Sequence, residues 1–223
     1  MLDAPLRPVI DPPLDRLGKA LAARGVSADA VTLGGLAAGL AAAAAIAFGQ
    51  FGLALALVLV SRLADGLDGA VARASRRTDF GGFLDITADF VFYAAVPLAF
   101  VLHDPAANGV AGAALLAAFY VNGASFLGFA LLAEKQRLTT ERQGVKNLYY
   151  SGGLLEGTET IVFFVLLCLL PGWFAAMAAV FAGLTALTTI GRIRAARRLF
   201  ARTGTEPQPD PPQRPSAAST AAT

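Results

Sequence analysis

Between Ser61 and Asp89 the chain places four aspartates, Asp65, Asp68, Asp85 and Asp89, inside two segments that otherwise read as membrane spans. An ionisable side chain near a bilayer centre costs about 2.5–3.5 kcal/mol on insertion scales. Four together would cost on the order of 10 kcal/mol if left unpaired. The carboxylates must then face the interior of a helical bundle and meet positive charge there. A pair of divalent ions serving a phosphoryl-type transfer at the membrane surface meets that requirement.

The composition agrees with a membrane bundle. Of 223 residues, 56% are hydrophobic and 15% charged, whereas a soluble domain of this size carries about a quarter charged residues. We expect an all-α polytopic membrane protein with six transmembrane helices, over about 30–49, 51–73, 81–102 (with Pro97 as a kink), 108–133, 149–170 and 173–193. The first of these lacks a small-residue cleavage pattern and reads as a retained span, not a signal peptide. Residues 1–26 form a lead-in: Pro5, Pro8, Pro12 and Pro13 keep its beginning non-helical. From Leu14 the helical spacing of Leu14, Leu17 and Leu21 predicts a short amphipathic juxtamembrane helix. Ser27 is placed to cap the next helix. Gly35 and Gly39 form a pair that permits close helix approach. The catalytic domain spans 27–202, and the Pro/Ser/Thr/Ala tail, 203–223, reads as disordered. The one cysteine, Cys168, lies in an apolar run and cannot form an internal disulfide.

Lysine and arginine then set the orientation. They lie before span one, at the inner ends of spans two and three, in the four–five connection and at the end of span six; Arg62, one turn before Asp65, is the exception. The connections near Gly49–Gln50, His103–Ala107 and Pro171–Gly172 carry none. The positive-inside rule puts both termini in the cytoplasm, here of a bacterial inner membrane, with the aspartates near that face.

At 100° per residue, Asp65, Asp68, Gly69 and Ala72 share a stripe of span two, and Asp85 and Asp89 share a face of span three. The short connection from Ala74 to Phe80 predicts that the two helices are antiparallel neighbours whose carboxylate pairs face each other. Hard oxygen ligands of this kind suit Mg2+ or Mn2+, and two such ions can clamp a pyrophosphate. Gly69 and Ala72 leave the backbone open to a flat nucleotide, while Gly81 and Gly82 expose N–H groups near a helix start, where an anion is favoured. Carboxylate clusters also occur in divalent-cation channels and transporters, and paired aspartates in membrane prenyltransferases. A channel predicts acidic residues through the whole membrane depth, whereas the outer half of each span here is apolar.

These residues resemble the CDP-alcohol phosphatidyltransferase family, whose signature is Asp-x-x-Asp-Gly-x-x-Ala-Arg, seven to nine residues, then Gly-x-x-x-Asp-x-x-x-Asp. Here the fixed positions are Asp65, Asp68, Gly69, Ala72 and Arg73, then Gly81, Asp85 and Asp89, with seven residues between Arg73 and Gly81. The resemblance implies that Asp65, Asp68, Asp85 and Asp89 bind two Mg2+ or Mn2+ ions and that Asp89 is also the catalytic base. It assigns Asp65, Gly69, Ala72, Arg73 and Gly81 to the CDP pocket. The implied reaction is attack of an alcohol on the lipid-side phosphate of CDP-diacylglycerol or a similar CDP-lipid, releasing CMP. The implied partners are that CDP-lipid, a small polar alcohol, the lipid bilayer and a possible homodimer; nucleic acid is not among them. Many relatives carry Pro-Asn where this chain has Ala28-Asp29.

The acceptor alcohol is carried by no signature. Lys135, Arg137, Arg142 and Lys146 in the four–five connection, and Arg192 and Arg194 at the end of span six, are candidates for binding an acceptor phosphate; topology and anionic-lipid contacts are the simpler role for each. Glu156 and Glu159, one turn apart at the start of span five, are candidates for recognising acceptor hydroxyls, or equally for a network with Arg62 or Arg192. Asn122 and Ser125 read as helix–helix hydrogen bonds, and His103 as an interfacial residue.

Overall fold

In a computed structural model of the chain, residues 3–135 and 157–201 are described. They form seven α-helices and one 3-10 turn, with no strand among them: α1 Asp3–Ala23, α2 Ala28–Ala47, α3 Phe51–Ala74, α4 Asp79–His103, α5 Pro105–Lys135, α6 Gly157–Leu169, the turn Pro171–Trp173, and α7 Phe174–Phe200. Four helices are long and apolar enough to cross a membrane: α2, α4, α5 and α7 with its preceding turn. α3 has the length at 24 residues, but Arg62, Asp65, Asp68 and Arg73 crowd its second half. α6 comprises 13 described residues. The expected tail, 203–223, lies outside the described residues.

The lead-in departs from expectation. α1 is already helical at Asp3 and runs through Pro5, Pro8, Pro12 and Pro13. Pro5 falls in the first turn, where its N–H would have had no partner in the helix. Further along, α1 is held by packing on α3. Leu14 is buried against Gly66, and a Cβ on Gly18 would come within 2.7 Å of the Ala70 backbone. Leu17, expected on the apolar face, is 52% exposed.

Local signals elsewhere are realised as read. The Ala30 N–H donates to Ser27 Oγ, starting α2, with Asp29 in the first turn. A Cβ on Gly35 would meet Ala64 at 2.9 Å, and one on Gly39 would meet Phe92 at 2.6 Å and Ser61 Oγ at 3.0 Å. The two glycines therefore let α2 press against both α3 and α4, a small-residue contact of the kind membrane bundles use. α2 packs closely on each of these helices, whereas direct backbone contacts between α3 and α4 are few. The expectation of α3 and α4 as immediate neighbours is corrected accordingly: polar side chains fill the space between them, with α2 at its back. Pro97 is buried inside an unbroken α4.

The core is aromatic. Phe92, Phe100, Phe164 and Phe174 are fully buried, with Phe100 stacked on Phe174 at 4.7 Å and Phe163 on Phe181 at 4.0 Å. Leucines and valines such as Leu53, Leu63, Val110, Leu131 and Val180 point outward, as lipid-facing positions require. At one end, the three lysine- and arginine-free connections meet: the His103 ring packs edge-on against Phe51, and Phe174 lies on Phe100. Cys168 is buried and free. The aspartates lie towards the opposite end, with the starts of α2 and α4.

Candidate active site

Three of the four signature aspartates meet a donor or a cation. Asp68 is the most enclosed, at 5% exposure. Its Oδ2 accepts a 2.6 Å hydrogen bond from Thr32 Oγ1 of α2. Thr32, Gly35 and Gly39 fall on one stripe of α2 at the spacing i, i+3, i+7. The stripe that lets α2 approach therefore also delivers a donor to a buried carboxylate, which such a group requires. Asp65 and Asp89, half-buried on α3 and α4, both face Arg62 Nη1. Asp85 lies within electrostatic reach of Asp68 and Asp89. Asp65 of α3 and Asp89 of α4 thus meet around Arg62, with Asp85 within electrostatic reach of Asp68 and Asp89.

Arg62 enters this cluster from one turn beneath Asp65. Its Nη1 lies 2.7 Å from Asp89 Oδ1 and 3.4 Å from Asp65 Oδ1, and its side chain is 9% exposed. The guanidinium carbon sits 4.1 Å above the Phe92 ring, and Nη2 donates to Ser61 Oγ at 3.3 Å. Neither Arg62 nor Thr32 was a predicted site residue. Both were visible as polar side chains in apolar segments; their partners, 27 and 36 positions away, were not.

The donor set fits hard divalent cations. It consists of carboxylate oxygens, facing a single guanidinium among the described residues, and such sets bind Mg2+ or Mn2+ in preference to softer metals. No three acidic, thiol or imidazole groups among the described residues are close enough to hold an ion as placed. Arg62 lies against two of the four carboxylates, Asp89 and Asp65.

The expected nucleotide-pocket residues divide in two. Gly69 and Ala72 are partly open, and a Cβ on Gly69 would meet nothing nearer than Arg73 Nη1 at 3.4 Å. Arg73 pairs with Asp15 of α1 through Nη2 at 2.8 Å and Nε at 3.2 Å. Gly81 corrects the reading of free N–H groups at the start of α4: its N–H donates to the capping Thr78 Oγ1 at 2.9 Å, and that of Gly82 to the Thr78 carbonyl at 3.2 Å. A Cβ on Gly81 would lie 3.0 Å from Thr78 Oγ1 and 3.1 Å from Asp29 Oδ1. Gly81 thus lies where α4 begins beside the first turn of α2.

Of the acceptor candidates, Arg192 bridges α7 to α5. Its Nη1 donates to Asn122 Oδ1 at 2.8 Å, the Asn122 carbonyl at 3.0 Å and Ser125 Oγ at 2.8 Å. Asn122 and Ser125 thus make the interhelical bonds expected of them. Lys135 is exposed at the last turn of α5, and Glu159 is half-buried in the first turn of α6. Arg137, Arg142, Lys146 and Glu156 lie outside the described residues. His103 sits at the opposite end of the bundle, its Nδ1 3.4 Å from the Ala47 carbonyl.

Comparison with known proteins bears on this arrangement. Residues 25–191 match the CDP-alcohol phosphatidyltransferase family. The chain is 48% identical to the inner membrane protein YnjF of Escherichia coli over 193 residues, covering 86% of this chain and 94% of YnjF. Over 85 residues, 38% of this chain, it is 39% identical to an archaetidylinositol phosphate synthase of Pyrococcus horikoshii, covering 45% of that protein. Its fold is similar to that of Mycobacterium tuberculosis phosphatidylinositol phosphate synthase (PgsA1). The structure of that protein with CDP-DAG bound gives a TM-score of 0.63 at 20% identity, covering 86% of this chain and 98% of PgsA1. A second PgsA1 structure, in complex with manganese and citrate, gives 0.64 at 20% identity and covers 93% of that chain. With the match spanning α2 to α7 and the signature aspartates gathered at one end of the bundle, the chain belongs to the CDP-alcohol phosphatidyltransferase family, membrane transferases of phospholipid biosynthesis.

Proposed function

We propose that this enzyme transfers a phosphatidyl group from a CDP-linked lipid such as CDP-diacylglycerol to a small polar alcohol, releasing CMP. The observation that carries this reading is the gathering of the signature aspartates of α3 and α4 around Arg62, at the end of the bundle opposite the lysine- and arginine-free connections. Asp65, Asp68, Asp85 and Asp89 are the residues that would hold two Mg2+ or Mn2+ ions. Bound there, such ions would neutralise the diphosphate and stabilise charge on the attacking and leaving oxygens. The manganese and CDP-DAG in the PgsA1 structures support both assignments.

In this reading Asp89 takes the proton of the acceptor hydroxyl as its oxygen attacks the lipid-side phosphorus. The bond to the cytidylate phosphate breaks, and CMP leaves with the electron pair. Asp89 suits the base role because its carboxylate is held by Arg62 at 2.7 Å while remaining 31% exposed. Thr32 orients Asp68. Gly69 and Ala72 leave room for the nucleotide beside α3, and Arg73, 42% exposed, can exchange Asp15 for a CDP group. Arg192, Lys135 and Glu159, with Arg137 and Glu156, are the proposed acceptor contacts.

A six-span arrangement with both termini cytoplasmic completes the proposal, with α3 and the expected span over 149–170 as the two further spans and α1 as a juxtamembrane helix. The inner-membrane relative and the lysine and arginine distribution support it. The test is a reconstituted assay with labelled CDP-diacylglycerol, Mn2+ or Mg2+, and a panel of alcohols. Inositol phosphate heads the panel because two kinds of relative are inositol phosphate lipid synthases. Metal-dependent CMP release with one acceptor is expected; none with any acceptor would overturn the proposal.

A further inference from the structure

Arg62 is not a position of the family signature, yet it is the cation at the centre of the aspartate cluster. Its seat is built by three helices. Gly39 of α2 has no side chain, which lets the Phe92 ring of α4 occupy the space a Cβ would take, 2.6 Å from that position. Phe92 is fully buried and packs edge-on against Phe164 of α6 at 5.6 Å. The guanidinium lies on the other side of that ring at 4.1 Å, with Ser61 Oγ against Nη2. The Nε of Arg62 is buried and has no hydrogen-bond partner among the described residues. A side chain so enclosed keeps its charge at one place, and that place is within contact of Asp89 and Asp65.

We propose that Arg62 is a positioning residue that holds Asp89 towards α3 and, as a fixed internal cation, competes with divalent ions for the Asp89 and Asp65 carboxylates. The inference rests on the assignment of those aspartates as metal ligands. Its content is a sign. An arginine with a purely structural role would, when removed, loosen the cluster and weaken metal binding. A competing cation would, when removed, leave a more negative site that binds the metal more tightly. A unit charge acting over a few ångströms at a partly buried site is strong enough for the second effect to dominate. The lost hold on Asp89 would appear separately, as a lower kcat.

The test is Mn2+ binding to the purified full chain in detergent, followed by electron paramagnetic resonance without substrate. Arg62→Gln should bind Mn2+ about tenfold more tightly than the unaltered protein, while kcat falls. Arg62→Lys keeps the charge but loses the planar stacking on Phe92 and the second donor to Ser61 Oγ, so the charge is less fixed; it should bind about two- to threefold more tightly. If Arg62→Gln fails to fold, Arg62→Lys decides. A folded variant that binds Mn2+ no more tightly than the unaltered protein, which itself binds, overturns this inference alone. An unaltered protein that binds no Mn2+ overturns it together with the metal assignment.

Discussion

Helix α3 carries two arginine–aspartate pairs, eleven residues apart, and they have different consequences. Arg62 reaches Asp89 of α4 at 2.7 Å, and Arg73 reaches Asp15 of α1 at 2.8 Å. The distances are nearly equal, but the surroundings are not. Arg62 is 9% exposed and stacked on Phe92, whereas Arg73 and Asp15 are 42% and 43% exposed. Water screens the outer pair, so it contributes little to stability and its arginine can swing to another anion. The inner pair is held among aromatic and small residues, and removing Asp89 would leave the 9% exposed Arg62 with Asp65, at 3.4 Å, as its remaining carboxylate. One helix thereby presents a fixed charge at the reacting end of the site and a movable one where the nucleotide is proposed to bind.

The largest effect expected is at the inner pair. Asp89→Asn should lower turnover by about 10²–10⁴-fold, the usual contribution of a positioned base, with CDP-lipid binding retained in an equilibrium assay. Next comes the seat of Arg62. Gly39→Ala places a methyl 2.6 Å from Phe92 and should destabilise the bundle by about 1–3 kcal/mol, as overpacking does, measured as thermal unfolding in detergent. An unchanged midpoint would show that Phe92 moves freely and that the inner charge is not fixed. Thr32→Val removes the 2.6 Å bond to buried Asp68 and should weaken Mn2+ binding by about tenfold, in line with about 1.5 kcal/mol for a bond to a charged group. The smallest effect belongs to the outer pair. Asp15→Asn should change stability by less than about 1 kcal/mol, and a larger loss would mean that α1 depends on this contact more than on Leu14 and Gly18.

Neither arginine–aspartate pair was legible in the chain, but much of the local structure around them was. Ser27 marked the start of α2, the Gly35–Gly39 pair marked a close contact, and the aspartate spacing marked two facing stripes, because each signal depends on local geometry. Which helix stands behind those stripes was not legible: helical periodicity names a face but not its partner, and the insertion of α2 against both α3 and α4 follows from tertiary packing. Thr32 and Arg62 were hidden for the same reason, since each acts on a residue from another helix. The prolines of α1 misled because local propensity disfavours a helix there, while Leu14 and Gly18 dock the same segment onto α3.

The central claim is that the four aspartates form a metal-dependent transferase site with Asp89 at its chemical centre. Its most direct test is release of CMP from CDP-diacylglycerol by purified protein in the presence of the accepting alcohol, compared with and without Mn2+ and with Asp89→Asn. The account predicts release by the unaltered protein with Mn2+, none after chelation, and release slowed by about 10²-fold or more in folded Asp89→Asn that still binds the lipid. Release that survives chelation, or full turnover by Asp89→Asn, would contradict it.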